Sequence, residues 1–226
     1  MTSYSLNPLP PQIAPGQLDR LSQVEPATLG HHLHAMFADL ALRPVIEGRR
    51  AAGTAVTVQI PGPDSTLLYY ALDRVRPGDF LVIDRAGDKT HACWGGFMAA
   101  VARVRGLAGV VVDGAITDPE AIRQAGVPTW GRAPSACTTK LLGLGGAMNV
   151  PVSIGGVAVV PGDAVLADDC GIVILPAASL DPLIDMALAE QAEESDWLER
   201  IEAGARLQDL VDIEAIMKLK AGAEHA

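Results

Sequence analysis

At 226 residues the chain is long enough to bury a sizeable core, and its 49% apolar against 19% charged residues exclude an intrinsically disordered segment. A formal charge of −10, from 17 basic and 27 acidic residues, supplies no basic stripe to neutralise phosphates and argues against direct binding to nucleic acid or an anionic membrane. No run of about 18 apolar residues occurs, the opening MTSYSLNPLPPQIAPG lacks a charged and then apolar leader, and Cys93, Cys137 and Cys170 lack metal-ligand spacing. These features predict a soluble cytoplasmic protein whose three cysteines are small buried hydrophobes in a reducing compartment.

In chain order, the Pro-rich residues 1–16 read as an arm or loose N-terminus. QLDRLSQVEPATLGHHLHAMF carries helical periodicity, with Thr28 placed to cap a second helix. GTAVTVQI at 53–60 reads as a strand, STLLYYALDRV at 65–75 as a helix capped by Ser65, and RPGDFLVIDRAG as a turn entering a buried strand. CWGGFMAAVARVRG begins as a glycine loop and becomes a helix whose predicted apolar face is Phe97, Ala100, Val101 and Val104. LAGVVVDG is the next strand, DPEAIRQAG a helix with Asp118 near its cap and Gly126 past its end, and VPTWGRA a short strand. The Pro-Gly-Asp turn of 77–79 recurs at 161–163 within VPGDAVLADDCGIVILP, and residues 179–220 read as amphipathic helix broken at Gly204. Strands alternating with helices predict an α/β fold.

Residues 93–118 hold the most chemistry. A glycine loop opening a helix presents free backbone N–H groups to a carboxylate or phosphate. A buried strand then ends near Asp113 and Asp118, and ligands of α/β folds bind beyond the carboxyl ends of strands, so the two features are expected to face one cleft. On residue chemistry alone, Asp113-Gly114 reads as a turn and Asp118 as a helix cap. His31 and His34, with His32 between, fall on one helical face. They read as a transition-metal pair, an ordinary helix start, or residues lining a cleft or interface. KLLGLGGAMN at 140–149 lacks the terminal Gly-Lys-Ser/Thr of a phosphate loop and reads as a flexible surface or interface loop, and ADDCG at 167–171 as a hairpin turn.

The stretch GDFLVIDRAGDKTHACWGGFMAAVARVRGLAGVVVDGAITDPEAI, with VPTWGRAPSA and NVPVSIGGVAVVPGDAVLADDCGIVILP after it, resembles the RraA-like family over roughly residues 25–205. That family includes divalent-metal-dependent 4-hydroxy-4-methyl-2-oxoglutarate / 4-carboxy-4-hydroxy-2-oxoadipate aldolases and regulators of ribonuclease E. The resemblance implies a swivelling α/β/α sandwich with a central β-sheet and C-terminal helices. It implies one domain over 1–226, with an arm at 1–16, a helical extension at 179–226, and a trimeric or hexameric assembly. It also implies that Asp118 holds Mg²⁺ or Mn²⁺, that the Gly95, Gly96, Phe97 and Met98 loop takes the carboxylate of a small anionic oxo-acid, and that Asp113 shapes the turn. The expected activity is retro-aldol cleavage or β-decarboxylation through an enolate.

Two positions depart from the aldolase pattern: Thr117 stands where the aldolases carry an arginine, and Gly96 where they carry an acid. Charge is then expected from elsewhere, with Arg105 as a substrate-binding candidate, Arg132 as a catalytic one, and Arg123 also available. The resemblance further implies an acid from the C-terminal helix of a neighbouring subunit, with Glu199 and Glu202 as candidates and Glu193 and Glu194 as alternatives. A non-catalytic regulator of an RNA-degrading enzyme, or a metal enzyme of different chemistry, are the other expectations.

Overall fold

The computed structural model describes residues 4–223. The chain divides into two compact units, Met1–Ile184 and Asp185–Ala226. In chain order, β1 (Tyr4–Leu6), α1 (Pro15–Leu21), α2 (Pro26–Gly30) and β2 (Arg43–Pro44) precede three successive crossovers. These run through β3 (Ala51–Gln59), α3 (Thr66–Leu72), β4 (Asp79–Asp84), α4 (Gly96–Arg105), β5 (Gly109–Ile116), α5 (Pro119–Ala125) and β6 (Thr129–Pro134). Short strands follow, namely β7 (Gly146–Met148), β8 (Val152–Ile154), β9 (Val157–Val159), β10 (Ala164–Ala167) and β11 (Ile172–Leu175). The helices α6 (Leu180–Glu202) and α7 (Ile213–Ala223) close the chain.

β3, β4, β5 and β6 pair side by side and parallel, with Val56 opposite Leu81 and Leu81 opposite Val110. β2 borders β6, while the outer edge of β3 is shared by β10 at residues 51–54 and β7 at residues 58–59. A parallel sheet covered on both faces needs near-continuous apolar strands, which is what FLVI and VVV supply. Alternate residues sort to the two faces. Val56, Val58, Leu81, Ile83, Val110 and Val112 join Leu68, Met98, Ala99 and Ile122 of α3, α4 and α5. Ala55, Phe80, Val82, Val111 and Trp130 meet Ile154 and Val159 of the β8–β9 hairpin. The predicted α/β class and central sheet are therefore observed.

Several local expectations change. Residues 4–6 are not loose: β1 pairs with β7, and the Asn7 side-chain amide donates to the Asn149 carbonyl at 2.9 Å. α2 starts at Pro26 with Glu25 as its N-cap, so Thr28 is a buried helical residue and not the cap. Because α2 ends at Gly30, His31 to His34 lie beyond the helix and share no helical face. Of the cysteines, Cys93 is buried as expected, but Cys137 and Cys170 are exposed. The buried face of α4 is Met98, Ala99 and Ala102; of the predicted face, Val101 is half-buried against the core, whereas Phe97, Ala100 and Val104 are exposed. Both faces carry apolar residues at helical spacing, so periodicity could not separate them. The small pair won because α4 lies close against its neighbours, close enough at Gly96 that a Cβ there would overlap the Ala121 methyl.

Candidate active site

The carboxyl ends of the parallel strands open into three loops: 60–65 after β3, 85–95 after β4, and 117–118 after β5. They meet around a cavity of about 170 Å³ lined by Gly95, Phe97, Met98, Thr117 and Asp118, together with Ser65, Tyr69, Ala92, Cys93, Trp94, Thr138 and Thr139. The 92–94 segment is clamped on both sides. Thr117 N donates to the Trp94 carbonyl at 2.8 Å, and Ala92 N to the Cys137 carbonyl at 2.8 Å.

Asp118 is the N-cap of α5 and adopts φ 50°, ψ 51°, a left-handed conformation that aspartate tolerates better than most residues. Its side chain makes no capping bond to α5. Instead the carboxylate faces Gly95, where a Cβ would come within 2.9 Å of Asp118 Oδ2 and 2.6 Å of the Thr117 methyl. Gly95 is thus required by close approach. The Thr117 hydroxyl donates to Asp118 Oδ1 at 3.3 Å, and Asp118 remains exposed. Next to it, α4 begins at Gly96 with Gly95 as a cap that has no side chain to spend on the helix. The first-turn amides of an α-helix have no intrahelical acceptor and sit at the positive end of its dipole, so they suit an anion. Gly96 itself is absent from the cavity lining and packs against Ala121.

The other polar groups near the cavity are consumed by structure. Asp64, buried, accepts from Thr66 N at 2.9 Å, Thr66 Oγ1 at 2.6 Å, Leu142 N at 3.0 Å and Leu144 N at 2.7 Å. Burial alone raises its pKa, but these hydrogen bonds outweigh burial and hold the carboxyl at about 2. Asp64 therefore caps α3, the role expected of Ser65, whose side chain makes no cap bond. It also fixes the 140–145 loop that was expected to be flexible.

Arg85, fully buried, donates to the carbonyl oxygens of Gly62, Asp64 and His91 and lies 3.8 Å from the Asp88 carboxylate. Asp88 is held at about 2: burial raises its pKa, but the amides of His91 and Thr90 and the His91 ring lower it further. Burial pushes the Cys93 thiol up to about 11, with Arg85 opposing, so this cavity-lining thiol is not a nucleophile at neutral pH.

The remaining sequence candidates of the first unit are absent from the cavity lining. Asp113 lies inside β5, not in a turn, where it accepts from Arg132 Nε at 2.5 Å and from Gly155 N at 2.7 Å. Arg132 also donates to Asp39 at 2.9 Å, so its guanidinium joins three segments of the first unit and is absent from the cavity lining. Gly114 is demanded by packing, because a Cβ there would lie 2.5 Å from the Arg85 stem. Arg105 sits at the far end of α4, bonded to Asp73 at 2.6 Å, and Arg123 bonds Glu120 and the Val45 carbonyl. Glu199 and Glu202 are exposed on the last turns of α6. Among the described residues no group of three His, Cys, Asp or Glu side chains could hold a metal. A metal at Asp118 would have one protein carboxylate and otherwise water, a donor set that suits Mg²⁺. Sequence reading missed Ser65, Thr138 and Thr139, whose only signal was their place in loops after strands, and Tyr69, which enters the lining from α3.

A family model described as RraA-like, Aldolase/RraA, matches residues 27–174. A Thermus thermophilus protein named 4-hydroxy-4-methyl-2-oxoglutarate aldolase is 37% identical over 128 residues, 56% of this chain and 76% of that one. A Halalkalibacterium halodurans protein that carries the same name provisionally is 35% identical over 153 residues, 68% of this chain and 72% of that one. The solved structure of Streptomyces coelicolor RraAS2, described as an unusual member of the RNase ES inhibitor RraA protein family, superposes with TM-score 0.73 at 31% identity, covering 82% of this chain and 98% of that one.

Proposed function

The chain belongs to the RraA-like family, and from that premise we propose that it is a divalent-metal-dependent carbon–carbon lyase acting on a small oxo-acid. One observation carries this reading: the Asp118 carboxylate, which makes no capping bond, lies against Gly95 at the opening of α4, and both line one cavity of about 170 Å³. Asp118 would hold Mg²⁺ or Mn²⁺, which when bound supplies Lewis acidity beside the oxo group. The amides of Phe97 and Met98 would receive the substrate carboxylate, aided by the positive end of α4. In retro-aldol cleavage the C3–C4 bond breaks, its electron pair passes into the enolate of the oxo-acid head, and the distal carbon becomes a carbonyl. The proton lost from the C4 hydroxyl is replaced on C3 through water, so the reaction is redox-neutral.

Proton exchange isolates the enolising half. Purified protein with Mg²⁺ and pyruvate in D₂O is expected to lose the pyruvate methyl signal by NMR, and a chelator is expected to stop it. Absence of exchange with Mg²⁺ present would overturn the lyase reading. Phe97 is 67% exposed, Val104 77% and Tyr69 44%, and this apolar surface supports a homo-oligomer, trimer or hexamer, in which Glu199 or Glu202 of a neighbouring copy approaches the site.

The absence of a charged side chain at Thr117 and Gly96, with the likeness to RraAS2, favours a second reading as a non-catalytic regulator of an RNA-degrading enzyme. Co-purification with such an enzyme, without pyruvate exchange, would select it.

A further inference from the structure

Among the described residues, β1, β2 and β11 each pair with a single strand of the main sheet, and two of these edges are protected against a further strand. β2 carries Arg43 and Pro44, a charge and a residue without an N–H, both of which blunt an edge. β11 is covered by residues 36–38: Ala38 N donates to the Ile172 carbonyl and Ile174 N to the Met36 carbonyl, each at 2.9 Å. β1, with the sequence Tyr-Ser-Leu, has neither protection, and all of it is exposed.

The free groups of β1 follow from its register. Asn7 N donates to the Met148 carbonyl at 3.1 Å, and in a parallel ladder alternate residues of a strand make its bonds. Ser5 and Asn7 therefore face β7, while Tyr4 and Leu6 turn their N–H and C=O groups outward, where no described residue bonds them. Large apolar side chains surround this edge: Tyr4, Leu6, Leu141, Leu142 and Leu144 are all exposed. The Tyr4 hydroxyl reaches the 140–145 loop, 3.9 Å from where a Gly143 Cβ would stand. In a chain of net charge −10, residues 1–18 and 141–162 carry no charged side chain, so a second acidic copy meets little repulsion here. Lys140 is the exposed charge nearest in sequence.

We infer that β1 is a self-association edge, which pairs antiparallel with β1 of a second copy across a twofold axis at Ser5. Tyr4 then exchanges both backbone bonds with Leu6 of the second copy, and Leu6 with its Tyr4, so every outward group finds a partner. The Tyr and Leu side chains of both copies share one face of the joined sheet, while Ser5 meets Ser5 on the other. This rests on the homo-oligomer reading and sharpens it: a threefold ring alone cannot use a self-paired edge, so the assembly has an even number of copies.

Leu6→Pro removes an outward N–H and none of the bonds to β7. Light scattering on the full chain is expected to show an even number of copies, and Leu6→Pro half that number with an unchanged circular dichroism spectrum. Cross-linking tests the register without relying on that variant. In a Cys137→Ser/Cys170→Ser background, which removes the exposed thiols, Ser5→Cys is expected to give a disulfide-linked dimer with oxidised glutathione. The facing Cα atoms of such a non-hydrogen-bonded pair lie about 4.5 Å apart, within disulfide range. Absence of that dimer would overturn the inference, as would a folded Leu6→Pro of unchanged mass. An odd-numbered parent would overturn it and leave the oligomer reading standing, whereas a monomeric parent would remove both.

Discussion

Two aspartates, one beside the cavity and one in its lining, are treated in opposite ways. Asp64, next to the cavity-lining Ser65, is buried and accepts four hydrogen bonds, from Thr66 and from the amides of Leu142 and Leu144. Asp118 lines the cavity, is exposed, makes no capping bond through its side chain, and has a single long bond from Thr117. The first carboxylate is spent on holding loops, and the second keeps its capacity for something outside the chain. Hydrogen-bonding capacity left unspent in a strained, loop-borne position is a better pointer to function than proximity to a cavity.

The contrast can be broken by mutation. Asp64→Ala strands three backbone amides and a hydroxyl, so it is expected to cost about 3 kcal/mol of stability and to lower the Tm by roughly 6–12 °C, read by thermal denaturation. An unchanged Tm would mean that the Asp64 network is dispensable. Asp118→Ala is expected to do the reverse: Mg²⁺-dependent pyruvate exchange falls at least about 100-fold, while Tm stays within roughly 2 °C. A large fall in Tm for Asp118→Ala would make that carboxylate structural after all.

Acid denaturation sharpens the same contrast. The folded-state pKa of Asp64, about 2, lies below the ordinary 3.8, so its stabilisation is complete above the ordinary value and is lost as pH falls through the folded one. The linkage amounts to about 2 kcal/mol. In urea melts the gap between the parent and Asp64→Asn is therefore expected to be constant from pH 7 to about 5 and to shrink between about 4 and 2. Asp88 titrates over the same range but is present in both proteins, so it cancels in the difference. A gap that does not narrow would show that Asp64 acts through geometry alone.

This division of labour was only partly visible in the sequence. Strand and helix order was legible because FLVI and VVV are continuous apolar runs between turn residues, and the meeting of Asp118 with Gly95, Phe97 and Met98 at one cavity was legible because both stretches follow the carboxyl ends of strands. Which arginine does what was not legible. Arg85 reads as an ordinary charge after a strand, yet it becomes the buried staple of two loops through contacts to Gly62 and Asp64, more than 20 residues away. Arg132 looked available for catalysis until its partners Asp39 and Asp113, from two other segments, were seen. The face of α4 was misjudged for a related reason: helix approach distance, set by Gly96 against Ala121, is a tertiary property that periodicity does not carry.

The smallest expected effect tests whether Asp118 is the whole of its wall. Thr117 presents two groups there: a methyl packed toward Gly95, and a hydroxyl 3.3 Å from Asp118 Oδ1. Thr117→Val keeps the methyl and deletes the hydroxyl with little change of shape, so packing around Gly95 is preserved. An exposed hydrogen bond of that length contributes about 0.5 kcal/mol at most, and its loss also frees an oxygen of Asp118. The two effects oppose each other, so Mg²⁺ affinity measured by titration calorimetry is expected to change by less than about threefold. A tenfold or greater loss would mean that the Thr117 hydroxyl helps hold the cation through its water shell. The unspent capacity of that wall would then belong to the pair, and Asp118 alone would no longer account for the site.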